Sequence, residues 1–227
     1  MSADLRLIIF DVDGTLVDSQ GDITASMILA FESVGLTAPD RGRILSIVGL
    51  SLPRAMAELA PEADVATQHA MVQAYKDSYA HLRATAGSQA SSPLYPGARQ
   101  VLEGLASVPD NLLGVATGKS QRGLDALISG HGLEGMFLTR QCADHHPSKP
   151  HPSMILRAMD EMGVTPAQTV MIGDTSFDME MARAAGVFAL GVSWGYHGRE
   201  KLTAAQRIVD EMSALPRALD EIWRVVR

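Results

Sequence analysis

The sequence predicts an α/β fold: a doubly wound parallel sheet with a small all-helical cap inserted after the first strand. Short apolar runs with β character recur at Leu5–Phe10, Leu112–Ala116, Thr169–Ile172 and Val187–Val192. Segments with helical patterning separate the later runs, the alternation expected of parallel strands joined by crossover helices. The interval from the first run to Leu112 is too long for a single crossover, so something is inserted there.

Each element follows from its local pattern. Leu5–Phe10 is apolar except at Arg6 and reads as a buried strand leading directly into Asp11 and Asp13. From about Ile23 to Leu82 the period becomes helical: Ala25, Met27, Ile28, Ala30 and Phe31 form one stripe, and Leu52, Ala55, Met56 and Leu59 a second. A third stripe runs through Ala70, Val72, Ala74 and Tyr75, and Gly49 and Pro61 punctuate the series. Ala84–Pro93, rich in Ala, Ser and Gly and without apolar period, is the expected return linker, closing at the turn Tyr95-Pro96-Gly97. This linker and Ser19–Ile23 are read as the two connections that bend. The expected division is a core of residues 1–19 and 88–227 and a helical cap of residues 20–87. Weaker strand signals lie at Met136–Thr139 and Arg207–Val209, before an amphipathic stretch at Leu215–Val226. Met27, Met56, Met71, Met154, Met159 and Met162 fall at roughly helical spacing and read as core filling.

Composition narrows the class. The 227 residues, 46% hydrophobic and 20% charged, suit one core domain with a smaller insertion, and no window approaches the ~20 apolar residues of a membrane span. No cleavage-site pattern follows the first apolar run, so the expected location is the cytoplasm. Cys142 is the only cysteine, which excludes an internal disulfide; its plain reading is a small packed hydrophobe. A net charge of −7 argues against nucleic acid or anionic lipid as partner, while a local cationic pocket for phosphate stays open. The expected partner is a small molecule, and the expected assembly a monomer or homodimer.

Four motifs carry chemistry. Asp11-Val12-Asp13-Gly14-Thr15-Leu16-Val17-Asp18 follows the first strand, and its turn at Gly14 lets two carboxylates flank one small volume. Paired acids suit a cation, or a division between attack and proton transfer; alone they read equally as a capped strand-end turn. Val115-Ala116-Thr117-Gly118 ends the second strong strand with a hydroxyl. Ser148-Lys149-Pro150 places a lysine in a proline-flanked loop, and Gly173-Asp174-Thr175-Ser176-Phe177-Asp178 follows the strand at Thr169–Ile172. Each is ambiguous alone: a Thr after a strand is usually a turn or cap, a loop lysine is usually solvated, and Asp near a helix start serves the dipole.

In this order the four motifs resemble the haloacid-dehalogenase-like hydrolase superfamily, across nearly the whole chain outside the insertion. An insertion directly after the first motif resembles the helical-cap subgroup, to which phosphoglycolate phosphatases belong. The resemblance implies a magnesium-dependent phosphatase acting on a small phosphorylated metabolite. It implies that Asp11 attacks phosphorus and that Asp13 protonates the leaving oxygen and then activates water. Mg2+ is expected on Asp11, the backbone carbonyl of Asp13, and Asp174. Thr117, Gly118 and Lys149 are expected at the substrate phosphate. Asp178 is a supporting residue, either orienting the metal shell or Lys149 or capping a helix; Asp18 is expected to order the turn into the cap.

Within the superfamily, Asp13 and Asp174 favour phosphate over halide chemistry. Lys76, the one lysine of the insertion, lacks a motif marking it as an imine former and reads as a helix-surface residue. Gln20–Ile28 lacks the histidine implied for a phosphosugar mutase, so transfer to water is expected. A phosphosugar mutase and a non-enzymatic phosphate-binding regulator are the alternatives. His145, His146 and His151 lack zinc-ligand spacing and sit in a loop expected to position Lys149. The glycines Gly191, Gly195 and Gly198 read as a loop after the last long strand. Specificity is expected from the insertion, with Ser51 and Arg54 as candidates and Arg54 a partner for a substrate carboxylate or else a solvated helix-start residue.

Overall fold

The structure, a computed structural model, describes residues 5–225. Six parallel strands run β1 (Arg6–Phe10), β2 (Asn111–Thr117), β3 (Thr139–Cys142), β4 (Thr169–Gly173), β5 (Phe188–Val192) and β6 (Arg207–Val209), in the spatial order β3-β2-β1-β4-β5-β6. Five helices lie early in the interval between β1 and β2: α1 (Gln20–Glu32), α2 (Arg41–Leu45), α3 (Leu52–Leu59), α4 (Val65–Ala86) and α5 (Ser88–Ser91). The flanking helices are α6 (Ala98–Ala106), α7 (Gln121–Gly130), α8 (Ser153–Met162), α9 (Ser176–Ala185) and α10 (Leu215–Val225).

Strand alternation divides the core in two. Ile8, Phe10, Leu113, Val115, Val170, Ile172, Leu190 and Val192 point to the face covered by α6, α7 and α10. Leu7, Ile9, Ala116, Met171 and Ala189 point to the other, covered by α8 and α9. Helices on both faces make the sheet doubly wound. This explains the near-continuous apolar reading of β1 and β4, where neither side meets water. β1 is central, with Ile9 opposite Gly114 on one side and Met171 on the other. The order of successive strands switches sides at β1, and because all run parallel, β1, β2 and β4 deliver their carboxyl ends to one crevice.

A third cluster belongs to the insertion: Ile23, Met27, Phe31, Ile44, Met56, Met71 and Tyr79 pack among α1–α4. Met154 and Met159 are buried in the second core face, as their spacing predicts.

Three expectations change. Ala84–Pro93 is not an open linker. α4 continues through Ala86, and after Gly87 the short α5 docks on the end of α7, where Gln89 Nε2 donates to the Gly130 carbonyl at 3.2 Å. Small residues give no apolar stripe, yet they allow close contact: a Cβ on Gly130 would lie 2.2 Å from that of Ser88. Ser19–Ile23 is likewise helical from Gln20. The third strand is Thr139–Cys142 rather than Met136–Thr139, because Met136 and Phe137 pack into the core as the chain approaches the edge of the sheet. Helix α10 ends at Val225, and Val226 lies outside the described residues. Among the described residues no helix is long and apolar enough to cross a membrane.

Candidate active site

Asp11 continues the pairing of β1 with β4, its N–H donating to the Ile172 carbonyl at 2.9 Å. The chain then turns: the N–H groups of Thr15, Leu16 and Val17 all converge on the Val12 carbonyl, leaving none of them for the carbonyl of Asp13. Gly14 has φ +90°, and a Cβ there would lie 2.2 Å from Asp174 Oδ2. Only glycine lets the turn pass against the β4 carboxylate.

Asp11, Asp174 and Asp178 are buried, with one carboxylate oxygen from each within 4.8 Å of the others. Lys149, also buried, lies 2.8 Å from Asp11 Oδ1 and 2.6 Å from Asp178 Oδ1. The contact to Asp11 is an ion pair, and no donor other than Lys149 reaches either oxygen of that carboxylate. Asp174 is better held, accepting from Thr15 Oγ1 on Oδ1 and from the Tyr196 N–H on Oδ2, each at 2.8 Å. Asp178 Oδ2 accepts from the Thr175 N–H at 3.0 Å and the Thr175 hydroxyl at 2.7 Å. It therefore caps α9 and contacts Lys149 at once.

Burial pushes the Asp11 carboxyl up to about 7; Lys149 opposes this, while Asp178 and Asp13 reinforce it. Asp174 is likewise raised well above its ordinary value, first by burial and then by the Asp178 and Asp11 charges. Burial pulls the Lys149 ammonium down, yet Asp11 and Asp178 outweigh it and hold it above the ordinary lysine value. When all three carboxylates are ionised, as a bound cation would hold them, they carry an excess of about two negative charges over the one ammonium. An all-oxygen set in which Asp11 has no partner but the Lys149 ammonium fits a hard divalent cation.

The Asp13 side chain turns away from this cluster, and its Oδ1 accepts from Ser19 Oγ at 2.6 Å and Lys119 Nζ at 2.9 Å. Thr117 is buried at the end of β2. A Cβ on Gly118 would come within 2.5 Å of the Gly49 carbonyl, so the insertion's loop between α2 and α3 lies directly on the second motif. A cavity of about 710 Å³ opens above, floored by Asp11, Asp13, Thr117 and Gly118 and walled on the insertion side by Gly49–Pro53 and α4. Ser51 lines it, its N–H donating to Ser148 Oγ at 2.8 Å, one residue before Lys149.

Residues 8–192 match the family described as haloacid dehalogenase-like hydrolase. The chain belongs to this family. A probable phosphatase, IndB, from Dickeya dadantii is 39% identical over 214 residues, which cover 91% of this chain and 90% of that protein. A phosphoglycolate phosphatase from Pseudomonas putida is 30% identical over 219 residues, covering 92% of this chain and 78% of that one. Among solved structures, a haloacid dehalogenase-like family hydrolase from Streptococcus pneumoniae superposes with a TM-score of 0.81 at 25% identity, covering 95% of this chain and 99% of that chain.

In this haloacid dehalogenase-like chain Arg54 does not face the cavity. Its side chain is 61% exposed and pairs with Glu58 at 2.6 Å, one turn along α3. Ala55, Met56 and Leu59 turn inward, and helical phase therefore carries Arg54 outward. Exposed i,i+4 pairs contribute about 0.3–0.5 kcal/mol. Arg54→Ala is accordingly expected to change kcat/KM by less than about twofold for any phosphate ester; a larger, substrate-selective loss in steady-state assays would return it to the specificity site.

Sequence reading missed Lys119, Ser19 and Tyr196. Lys119 directly follows Thr117-Gly118, and its ammonium also sits 4.9 Å over the Tyr79 ring of α4. Burial pulls this lysine down, but Asp13 more than compensates, leaving it above its ordinary value. Adjacency to the motif was the available signal. Tyr196 binds Asp174 through its N–H and Ser19 through its hydroxyl, and no sequence spacing announces this. Asp18 accepts from the Gln20 N–H and side chain and so orders the entry to α1. His146 bonds Ser153 and Gln141, bracing the loop that carries Lys149, whereas His145 and His151 are exposed. Among the described residues no histidine joins a potential metal-binding cluster. Lys76 is exposed on α4, but on the cavity wall.

Proposed function

We propose that this chain is a magnesium-dependent phosphatase of small phosphorylated metabolites, with the carboxylate of Asp11 as nucleophile. The observation that supports this most is the state of Asp11: buried at a cavity floor, with the Lys149 ammonium 2.8 Å from Oδ1 and no other donor on either oxygen. A carboxylate so placed is available to bond rather than engaged in holding structure.

In this reading an Asp11 oxygen bonds to phosphorus as the ester oxygen leaves, giving an aspartyl-phosphate. Asp13, anchored through Oδ1 by Ser19 and Lys119, keeps Oδ2 for the proton that goes to the leaving alkoxide. The same oxygen then takes a proton from the water that hydrolyses the acyl phosphate. Lys149 and the Thr117 hydroxyl hold phosphoryl oxygens, Lys149 fixed by Asp178 and the loop braced by His146. Magnesium held by Asp11, Asp174 and the backbone carbonyl of Asp13 would supply the positive charge that lets a carboxylate approach a phosphate dianion. Helices α1–α5, with their own apolar cluster, act as a cap that excludes water and shapes the substrate site. Phosphoglycolate, named for the Pseudomonas putida relative, is the first metabolite to try.

Hydrolysis of 4-nitrophenyl phosphate with and without magnesium tests the reading. The expected result is turnover with magnesium, a loss of about 100-fold or more in chelator, and recovery on re-addition. Full turnover by protein verified metal-free would refute the metal assignment.

A further inference from the structure

The cavity has a second charged region that the chemistry above does not use. Gln73, Lys76, Ala80 and Arg83 recur at helical spacing along α4, and all four line the cavity, so they form one wall. Ala80 sits between the two cations and projects only a methyl group, which recesses the wall there. Arg122, the second residue of α7, lines the same cavity from the core side, four residues beyond Gly118.

Among the described residues none of these three cations has a carboxylate within 4.0 Å, in a chain with net charge −7. By contrast Arg54, Arg99, Arg157, Arg199 and Arg217 each find one on the surface. The cavity's other acids are already engaged with neutral donors: Asp77 accepts from Gln73 Nε2 at 2.9 Å, and Asp144 from the Gln121 N–H at 2.8 Å. Three cations without carboxylate partners, two on α4 and one on α7, thus line one partly enclosed space with donors free for an anion. At about 710 Å³ the cavity also leaves room beyond the phosphoryl site that a two-carbon substrate would not fill.

Resting on the phosphatase reading above, we propose that Lys76, Arg83 and Arg122 form an anion subsite for the far end of the substrate. The substrate class is then a phosphate monoester, longer than phosphoglycolate, that carries a second phosphate or a carboxylate. An anion held between α4 and α7 ties the insertion to the core, so binding and cap closure are one event.

Two substrate pairs separate the anion types: 6-phosphogluconate against glucose 6-phosphate, and fructose 1,6-bisphosphate against fructose 6-phosphate. The unaltered enzyme is expected to favour the more anionic member of at least one pair by about tenfold or more in kcat/KM, the effect of one charge-assisted contact. In a Lys76→Gln/Arg83→Gln/Arg122→Gln variant that ratio is expected to fall to about one. A ratio near one in both pairs for the unaltered enzyme, or a preference that survives the triple substitution, overturns the subsite. Hydrolysis of 4-nitrophenyl phosphate reports separately on the phosphatase reading. Should that fail, calorimetric binding of the same four compounds to Asp11→Asn protein decides the subsite by the same two ratios.

Discussion

Asp11→Asn is expected to lower phosphate-ester turnover by a factor on the order of 10⁴ or more, the scale on which loss of a covalent nucleophile acts. Asparagine keeps the shape of the side chain but has no anionic oxygen to bond to phosphorus. Stability separates this loss from misfolding. The folded Asp11 carboxyl is raised to about 7 from 3.8, so the native state binds the extra proton between those values. The stability associated with that proton is complete below 3.8 and is lost as pH rises through about 7. At pH 8 without metal the charged Asp11 is therefore a net burden, and the Asn variant should melt at or above the parent's temperature. A variant that is inactive and also melts much lower would show that Asp11 acts through the fold.

Lys149→Met is expected to damage both activity and stability. The ammonium is fully buried between Asp11 and Asp178, and its removal leaves neighbouring carboxylates buried without their counter-charge. Breaking such a pair from one side costs about 3–5 kcal/mol. In a chain of this length that corresponds to a fall of roughly 6–20 °C in Tm. Turnover should fall by about 10²–10³-fold for the lost charge at the phosphoryl oxygens. Adding Asp178→Asn should restore part of the Tm, because it removes one of the two stranded charges, and should restore none of the activity. Calorimetry and kinetics on the single and double variants together check both halves. A Lys149→Met protein with unchanged Tm and near-normal turnover would contradict the assigned position and role alike.

The sequence reads well where burial is two-sided or topology does the work. β1, β2, β4 and β5 are legible because both faces are covered and the runs stay apolar. The edge strand β3 reads Thr139-Arg140-Gln141-Cys142 and is stabilised by side-chain bonds of Thr139 and Gln141 to Glu161, a partner twenty residues away that no local pattern reveals. Asp11, Thr117 and Asp174 could be placed together in advance, since parallel strands bring their carboxyl ends to one crevice. Ser19 and Tyr196 could not, because their meeting with Asp13 and Asp174 depends on how the insertion and the β5 loop fold back, whereas Lys119 had its place beside Thr117-Gly118 as a signal. For Arg54 the sequence leaves two readings open, and its position agrees with the solvated one. The inward stripe of Ala55, Met56 and Leu59 and the four-residue spacing to Glu58 point it outward.

Capturing the phosphoryl group tests the central claim most directly. Asp13→Asn keeps the Asp11 nucleophile but lacks the acid and base at the leaving oxygen and at water. With 4-nitrophenyl phosphate, whose leaving group departs without a proton, this variant should accumulate phosphoenzyme under acid quench. Peptide mass spectrometry should then find the added phosphoryl mass on Asp11, in the peptide that spans the end of β1. A phosphoryl group on any other residue, or an enzyme that turns over ester at full rate while no phosphoenzyme forms under these conditions, would contradict it.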